Sequence, residues 1–199
     1  MIYLFGAGGH GKVIADILEL CGTEIGGIFD ADLNQRIWDY KTFEFPGPYK
    51  INEDKLILSI GNNETRKKIA SQIEANYILA IHPSAIIAKK NFIDVGSVVM
   101  AGAVVNTDTM IGKHCILNTN CSVDHDCLIA DYVHVSPNST LCGGVSVGEC
   151  SQIGTGAIVI PGIKIGSNSI IGAGAVVIKD VPDKVVVVGN PARILKTIE

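Results

Sequence analysis

An aliphatic residue recurs at every sixth position of the chain from residue 81 onward. Seventeen successive positions from Ile81 to Val177 carry isoleucine, leucine or valine, and Asp183 is the first to break the register. A period of six matches neither the 3.6-residue period of a helix nor the two-residue alternation of a long strand. The pattern predicts a solenoid whose coil has three short flat sides, with eighteen residues in each turn.

A second position in each six-residue repeat supports this prediction. Four residues after the aliphatic position the side chain is usually small: Ser97, Ala103, Thr109, Cys115, Cys121, Cys127, Ser139, Ser151, Ala157, Ser169 and Ala175. We expect the aliphatic side chain to point to the axis and the small one to pack where the wall bends. Coils stacked about 4.8 Å apart would give roughly five turns and a prism about 24 Å tall.

The repeat also accounts for three of the six cysteines. Cys115, Cys121 and Cys127 occupy the small position of three successive repeats and therefore fall on three different sides of the prism. We interpret them as small buried hydrophobic residues rather than as ligands of one metal ion. Since Cys142 and Cys150 lack CxxC spacing, the sequence predicts no zinc site.

The first eighty residues follow a different pattern, in which short apolar runs alternate with helical periodicity. Four runs predict strands: Ile2 to Phe5, EIGGIFD, KLILSIG and YILAI. Two segments predict helices, one beginning in the turn after the first strand and one in NNETRKKIASQIEAN, where Asn62 or Asn63 is the expected N-cap. Alternating strands and helices indicate a parallel α/β sheet.

The turn after the first strand contains the pattern GxGxxG, formed by Gly6, Gly8 and Gly11. Such glycines let backbone N–H groups approach a phosphate at a helix N-terminus. An acid at the end of the second strand commonly meets a ribose hydroxyl, and Asp30 stands there. Eighty residues make only half of a doubly wound fold, which favours a nucleotide-linked ligand over NAD. The alternative is a purely structural tight turn. The predicted substrate-binding residues are Gly8, Gly9, His10, Asp30 and Gly61.

Composition narrows the function classes further. The 199 residues are 47% hydrophobic and carry a net charge of -4, which does not resemble the basic surface of a nucleic-acid-binding protein. The short basic run Arg66, Lys67 and Lys68 is interpreted as a solvated helix face. We find no signal peptide and no apolar run of the roughly 18 residues that a membrane span needs. The sequence therefore predicts a cytoplasmic protein with reduced cysteines.

The combination of these two regions resembles a known family. The motifs that carry the resemblance are GAGGHGKV, SIGNNETRKKI, HPSA, ILNT, VDHDCLIADYVHVSPNSTLCGGVSVG and GNPAR. They are similar to those of the sugar O- and N-acyltransferases of the sialic-acid O-acetyltransferase-like family, especially bacterial UDP-4-amino-sugar N-acetyltransferases. The resemblance implies an α/β half-Rossmann domain over residues 1–82 and a left-handed parallel β-helix over residues 83–199, with a short C-terminal tail. It also implies acetyl-CoA as co-substrate, no metal, and a homotrimer with active sites between subunits.

His125 is the leading catalytic candidate. It stands two residues after the inward Val123, near a corner and facing outward, beside the acidic Asp126. An outward histidine next to an acid is a reasonable general base. The resemblance implies that His125 is the catalytic base and that Asp126 orients it. Because adjacent residues of a flat strand point to opposite faces, their direct pairing requires a bend.

Four residues are expected to contact acetyl-CoA: His134, Gly143, Thr155 and Ala173. For His134, Thr155 and Ala173 this expectation comes from the resemblance, and a wall residue between subunits is the alternative for His134. Gly143 lies eighteen residues after His125, hence one coil further, where its N–H could face a developing oxyanion. His125 and His134 are nine residues apart, which is half a turn. They cannot stack on one side of one chain, as a metal site would require, but they suit a cleft between two chains.

The remaining histidines and aspartates of the repeat have plainer interpretations. We expect His114 to be solvated at a turn and His82 to be structural, while Asp124 and Asp131 are interpreted as turn residues. The predicted activity is acetyl-CoA-dependent N-acetylation of the 4-amino group of a nucleotide-linked sugar, with UDP as the expected nucleotide. The alternatives are O-acetylation of a sialic-acid-like sugar, a non-catalytic nucleotide-sugar-binding scaffold and, more remotely, an NAD oxidoreductase.

Overall fold

The computed structural model describes residues 1–45 and 51–198 of the chain. Its N-terminal part contains β1 (Ile2–Phe5), α1 (Gly9–Leu20), β2 (Ile25–Phe29), β3 (Thr42–Phe43), β4 (Ile51–Leu58), α2 (Asn63–Ala70) and β5 (Ala75–Tyr77). These strands form one sheet in the order β3-β2-β1-β4-β5, and every neighbouring pair is parallel. The predicted parallel α/β sheet is confirmed. Its strand order reverses between β1 and β4, the place where such sheets hold ligands.

Two details differ from the sequence prediction. The short strand β3 was not predicted, and it pairs with the end of β2. The predicted strand YILAI is divided, because Tyr77 ends β5 whereas Ala80 and Ile81 form a strand of the following solenoid. The second helix begins as expected, with the Asn62 side chain accepting a hydrogen bond from the Thr65 N–H at 2.9 Å.

The solenoid is built from very short strands. They are β6 (Ala80–Ile81), β7 (Ile86–Ile87), β8 (Phe92–Ile93), β9 (Val98–Val99), β10 (Val104–Val105), β11 (Met110–Ile111), β12 (Ile116–Leu117), β13 (Ser122–Val123), β14 (Leu128–Ile129), β15 (His134–Val135), β16 (Thr140–Leu141), β17 (Ser146–Val147), β18 (Gln152–Ile153), β19 (Ile158–Val159), β20 (Lys164–Ile165), β21 (Ile170–Ile171), β22 (Val176–Val177), β23 (Val185–Val188) and β24 (Arg193–Thr197). Strands up to β22 pair in parallel with the strand eighteen residues away, for example Val105 with Val123. The predicted eighteen-residue coil is confirmed.

Three sheets form the sides of this prism. Face 1 contains β6, β9, β12, β15, β18, β21 and β23, with β24 added antiparallel at its end. Face 2 contains β7, β10, β13, β16, β19 and β22, and face 3 contains β8, β11, β14, β17 and β20. The chain visits the faces in the order 1, 2, 3, so it passes three corners in each coil. The predicted parallel β-helix after an α/β domain is therefore the observed fold.

The interior of the prism follows the repeat. All eleven small residues predicted for the corner position are 0% exposed. Cys115, for example, donates from its thiol to the Ala130 carbonyl of the next coil, with Sγ 3.1 Å from the oxygen. Its burial raises the pKa of the thiol to about 12, so it stays protonated and unreactive. The six cysteines are free, and in the described part of the chain no three potential metal ligands converge.

From Gly96 to Gly174, each corner contains a residue in the left-handed backbone conformation, three positions after the inward aliphatic residue. Glycine, asparagine or aspartate occupies most of these positions, as at Gly144 (φ 70°), Asn138 (φ 56°) and Asp126 (φ 58°). These residue types tolerate positive φ better than others. The sharp turn at each corner is what lets two-residue strands follow one another around the axis.

The α/β domain and the prism share one apolar core. Leu4, Ile14 and Ile17 pack in the same cluster as Val98 and Ile116 of face 1. These two prism residues occupy outward positions of their strands and are nevertheless 1% exposed. The first coils of face 1 are therefore covered by the chain's own α/β domain.

Two sequence predictions fail at this domain contact. Arg66 does not belong to a solvated helix face, since it is 1% exposed. His114 is not solvated but 3% exposed, and its ring stacks on that of Tyr132 with centroids 5.3 Å apart. The physical reason is the same for both, because α2 and the corners between faces 3 and 1 bury each other. No helix in the described ranges is long and apolar enough to cross a membrane.

Candidate functional site

A cleft of about 490 Å³ opens where the strand order of the α/β sheet reverses. It is lined by Gly6, Gly8, Gly9, His10, Asp30, Asp32, Gln35, Ser59, Ile60 and Gly61. All five residues predicted to bind the substrate are in this set. The structure thus brings together the glycine-rich turn after β1, the end of β2 and the end of β4, as parallel strands require.

The glycines of this cleft have different steric roles. A Cβ on Gly11 would lie 2.5 Å from the Gly6 carbonyl oxygen, so this glycine permits α1 to pack closely on β1. Gly8, Gly9 and Gly61 instead face open space, because a Cβ on any of them would meet no atom of the described residues within 4 Å. Since these residues leave the space open, a ligand can approach the backbone closely.

His10 lies in the first turn of α1, inside the cleft wall. Its Nε2 atom is buried and has no hydrogen-bond partner among the described residues. Burial, together with the positive charge of Arg66, lowers the pKa of His10 to about 4. The ring is therefore neutral at physiological pH, and its Nε2 is an unpartnered polar atom buried in the cleft wall.

Asp30 is already engaged by the backbone of the cleft. Its Oδ2 accepts the Ala7 N–H at 2.7 Å, and its Oδ1 accepts the Asp32 N–H at 2.9 Å. The carboxylate thus holds the glycine-rich turn against the end of β2. Contact with a ribose hydroxyl remains a prediction, and Asp32, which also lines the cleft, was not singled out from the sequence.

His125 occupies the corner between β13 on face 2 and β14 on face 3. Its Nδ1 lies 2.7 Å from Oδ2 of Asp126. The bend that this pairing requires is provided by Asp126 itself, whose φ of 58° is left-handed. The short aspartate side chain therefore reaches its neighbour, and the other ring nitrogen, Nε2, stays free for chemistry.

Electrostatics at this corner favour the protonated imidazole. The hydrogen bond to Asp126, and then the charge of Asp124, raise the pKa of His125. Asp124 has its Oδ2 4.0 Å from Nε2 of His125, while its Oδ1 accepts from the Asn106 amide at 2.8 Å. Asp124 is thus more than the turn residue we expected. Asn106 was also missed, although its position eighteen residues before Asp124 in the repeat could have indicated the contact.

Gly143 lies on the next coil, directly over the His125 ring. A Cβ at this position would be 2.5 Å from Cε1 and 2.6 Å from Nε2 of His125. Any residue larger than glycine at this position would therefore displace the imidazole ring of His125. The Gly143 N–H has no acceptor among the described residues, whereas the Gly143 carbonyl accepts from the Gly162 N–H at 3.0 Å.

His134 lies on face 1, on the side that carries the α/β domain. Its Nε2 is 3.0 Å from the Asn118 amide nitrogen. Burial, the charge of Arg66 and then that of His10 lower the pKa of His134 to about 4. His134 is therefore a neutral side chain near Arg66, on the side of the prism that the α/β domain covers. The contact between Asn118 and His134 was not predicted, because the two residues are sixteen positions apart and not the eighteen of one full coil.

The residues predicted for acetyl-CoA do not form one site within a single chain. Gly143 lies with His125 on the edge between faces 2 and 3. Thr155 and Ala173 are exposed on successive coils of the edge between faces 1 and 2, where the Gly174 N–H donates to the Thr155 carbonyl at 2.9 Å. His134 is on face 1 itself. One chain thus presents three separate groups of candidates.

Comparison with known proteins identifies both regions of the chain. Residues 1–73 match the family described as PglD N-terminal domain, and residues 144–179 match the bacterial transferase hexapeptide repeats. A solved structure of perosamine N-acetyltransferase from Caulobacter crescentus, a histidine-to-asparagine variant in complex with CoA and GDP-perosamine, superposes with a TM-score of 0.91. It is 36% identical, over 98% of this chain and 96% of that one. The chain belongs to the hexapeptide-repeat sugar N-acetyltransferases.

Two further relatives show the breadth of this acetyltransferase family. The acetyltransferase domain of PglB from Neisseria gonorrhoeae FA1090, in complex with acetyl coenzyme A, has a TM-score of 0.91 and 36% identity over 98% of both chains. The UDP-N-acetylbacillosamine N-acetyltransferase of Bacillus subtilis is 41% identical over 50% of this chain and 51% of its own length. The resemblance deduced from the sequence motifs is thereby confirmed, and the relatives include both GDP- and UDP-linked sugars.

Proposed function

We propose that this acyltransferase moves the acetyl group of acetyl-CoA to the 4-amino group of a UDP- or GDP-linked amino sugar. The observation that carries the proposal is the imidazole of His125, which Asp126 orients at 2.7 Å and against which Gly143 of the next coil packs. Relatives that span the whole chain support the choice of substrates, since one was solved with CoA and GDP-perosamine.

In this proposal His125 is the general base. Its neutral Nε2 accepts a proton as the sugar amine attacks the thioester carbonyl, while Asp126 accepts from Nδ1–H and supports the imidazolium that forms. The Gly143 N–H donates to the oxyanion of the tetrahedral intermediate. The intermediate collapses with cleavage of the carbon–sulfur bond, and the leaving CoA thiolate takes the proton from the His125 imidazolium, which returns the base to its neutral form. The mechanism needs no acyl-enzyme. The thiol of Cys127, two residues after His125, is a poor nucleophile because burial raises its pKa.

The two ligands are assigned to different parts of the molecule. We assign the nucleotide to the cleft of the α/β domain, with Gly8, Gly9, His10, Asp30 and Gly61 as contacts. Acetyl-CoA is assigned to His134, Gly143, Thr155 and Ala173 along the prism. Six free thiols agree with a reducing compartment, and we therefore propose that the enzyme acts in the cytoplasm.

The separation of these groups supports a homotrimer with active sites between neighbouring prisms. His125 and His134 lie on different sides of one chain, so a second copy is needed to bring both to one pair of ligands. Face 3 also exposes a stacked apolar row, in which Phe92, Met110 and Leu128 are each more than half exposed. An exposed row of this kind is typical of an interface.

A thiol-release assay tests the reaction. The purified protein is given acetyl-CoA with GDP-perosamine, a UDP-4-amino-4,6-dideoxy sugar, their 4-hydroxy analogues and the free sugars. We expect CoA release only with a nucleotide-linked amino sugar. Release with the hydroxy sugars would instead support O-acetylation, and no release with any acceptor would contradict the proposal.

Mixing two inactive variants tests the shared site. His125→Ala and His134→Ala chains are each expected to lose most activity. Co-refolded mixed trimers should recover part of it, because some interfaces then combine an intact His125 from one chain with an intact His134 from the other. An affinity tag on one variant shows whether the other is retained with it in mixed trimers. If mixed trimers form and no activity returns, the site is not built from two chains.

A further inference from the structure

Arg66 on α2 is a fully hydrogen-bonded cation inside the contact between the two domains. Its guanidinium has five N–H donors, and the structure shows five bonds. Nε donates to the His114 carbonyl at 2.8 Å, Nη1 to the carbonyls of Ile60 at 2.9 Å and Gly61 at 3.2 Å, and Nη2 to the Tyr132 carbonyl and the Asn63 side-chain oxygen, both at 2.9 Å. Every acceptor is neutral, so no carboxylate among these partners balances the positive charge.

The association of the two domains does not by itself explain why a guanidinium without a carboxylate partner is buried between them. The domains already share an apolar core and an exposed ion pair between Lys67 and Glu149 at 2.7 Å. Burying an unbalanced charge is costly, and apolar residues of similar volume often stabilise a buried site better. Burial lowers the pKa of Arg66 to about 10, so the cation nevertheless persists at neutral pH.

The bonds of Arg66 determine which groups the cleft presents. Ile60 and Gly61 line the cleft, and both turn their carbonyls toward the guanidinium. Because a trans peptide points its C=O and the next N–H in opposite directions, the N–H groups of Gly61 and Asn62 point away from Arg66. Neither N–H has an acceptor within the described residues. This edge of the cleft therefore offers hydrogen-bond donors to an anionic ligand.

On its other side Arg66 holds the prism. The His114 and Tyr132 carbonyls belong to successive corners between faces 3 and 1, and Tyr132 is two residues from His134. One side chain thus joins the end of β4 to the coils that carry His134. Its charge also contributes to the low pKa of His134 and of His10, both about 4.

We propose that Arg66 is a positioning residue for acetyl transfer, which aims the donors of the Gly61–Asn62 edge at the nucleotide diphosphate and fixes this edge relative to His134. The inference rests on the proposed function for the identity of the ligand. It assigns a role to a side chain that touches neither substrate and that acts through backbone groups of the cleft.

Arg66→Lys and Arg66→Met test the proposal. Lysine keeps the charge but lacks the five-donor fork, so it separates geometry from charge. Losing hydrogen bonds to a charged group should raise the KM for GDP-perosamine or the UDP-4-amino sugar at least about tenfold in both variants, with the KM for acetyl-CoA changed less than about twofold. In Arg66→Met alone, the loss of charge should also raise the pKa of His134, measured from its imidazole resonances by NMR, because protonation of His134 becomes easier.

Lys67→Gln is the matched control, because it breaks a different polar bond between the domains and leaves the cleft untouched. We expect wild-type KM values for this variant. A folded Arg66→Lys protein with a wild-type KM for the nucleotide sugar would overturn the proposal. So would a Lys67→Gln protein with the same loss, since domain docking in general would then be responsible.

Calorimetry with GDP and UDP separates this inference from the proposed function. Weaker binding to Arg66→Lys than to wild type supports the positioning role even if no acetyl transfer is found, and equal binding contradicts it. If the Arg66 variants do not fold, Asn63→Ala decides, because it removes one acceptor of Nη2 and keeps the cation. The Asn63 amide also donates to the Cys150 and Ser151 carbonyls, both at 3.1 Å, so Lys67→Gln is again the control for the loss of a contact between the domains. Asn63→Ala should weaken nucleotide binding by a smaller factor, and wild-type affinity would count against the proposal.

Discussion

Histidines in two regions of this molecule have opposite environments. His125 stands on an exposed corner between faces 2 and 3, beside two carboxylates that raise its pKa. His10, His114 and His134 lie around the buried cation Arg66, where burial and that charge lower the pKa of each to about 4. The first region suits proton transfer, because its imidazole can accept a proton and be stabilised as a cation. The second suits neutral packing and hydrogen bonding.

The difference teaches that a histidine's chemistry depends on what it is packed against. One neighbouring carboxylate at 2.7 Å makes His125 a better base, whereas desolvation makes His134 resist protonation. Single substitutions can separate the two regions, beginning with the one on which activity depends most.

The largest effect is expected for His125→Ala. Removing the general base should lower kcat by roughly 10²–10⁴-fold, while calorimetry shows unchanged affinity for the nucleotide sugar. His82→Gln serves as the control, since the His82 ring bonds only to Ser84 of its own turn in the described residues and has no part in the proposed chemistry. If kcat of His125→Ala stays near that of wild type, the base has been assigned to the wrong region.

Gly143→Ala tests the geometry of the same corner. The added methyl group would lie 2.5 Å from Cε1 of His125, so the ring must move. A displacement of this size typically lowers the rate on the order of 10²-fold. Steady-state kinetics should show this loss with unchanged melting temperature, while Cys142→Ala, one residue earlier, keeps wild-type kinetics. Equal activity of the Gly143 and Cys142 variants would contradict the stacked arrangement.

Asp126→Asn should change the pH dependence. Asp126 raises the pKa of His125, and a general base acts only when neutral, so activity falls as pH drops through this pKa. Removing the carboxylate lowers the pKa and moves the acidic limb of kcat/KM to lower pH, together with a smaller maximal rate. Asp124→Asn should cause a weaker shift in the same direction. An acidic limb unmoved by both substitutions would show that His125 does not limit the rate.

The smallest effect concerns stability in the buried region. His114 has a pKa of about 4 when folded, against an ordinary value of 6.5, so the unfolded chain takes up its proton first as pH falls. Between about pH 6.5 and pH 4 this lowers the free energy of unfolding by at most about 1.4 kcal/mol per pH unit. His114→Phe keeps the stack on Tyr132 and should flatten the pH dependence seen in urea unfolding at fixed protein concentration. If the slope of the free energy of unfolding against pH is unchanged, groups other than His114 take up the proton.

Sequence patterns anticipated the corner region better than the buried one. The period of six placed Val123 inward and therefore His125 outward, and the spacing of eighteen placed Gly143 over it. The pairing of His125 with Asp126 depended on a backbone bend that the period does not specify. The buried region was misjudged, because Arg66 and His114 carry polar signals that normally indicate solvent.

The repeat determined the prism by itself, because each inward aliphatic residue packs against another aliphatic residue eighteen positions later and needs no more distant partner. The GxGxxG turn likewise determined the cleft, since its glycines act within one strand–turn–helix unit. Only the tertiary structure decided that α2 covers the corners between faces 3 and 1, that Arg66 is buried there and that His134 lies on the side of the α/β domain. These contacts join residues 48 and 66 positions apart in the chain through backbone carbonyls, which leave no mark in the pattern of side chains.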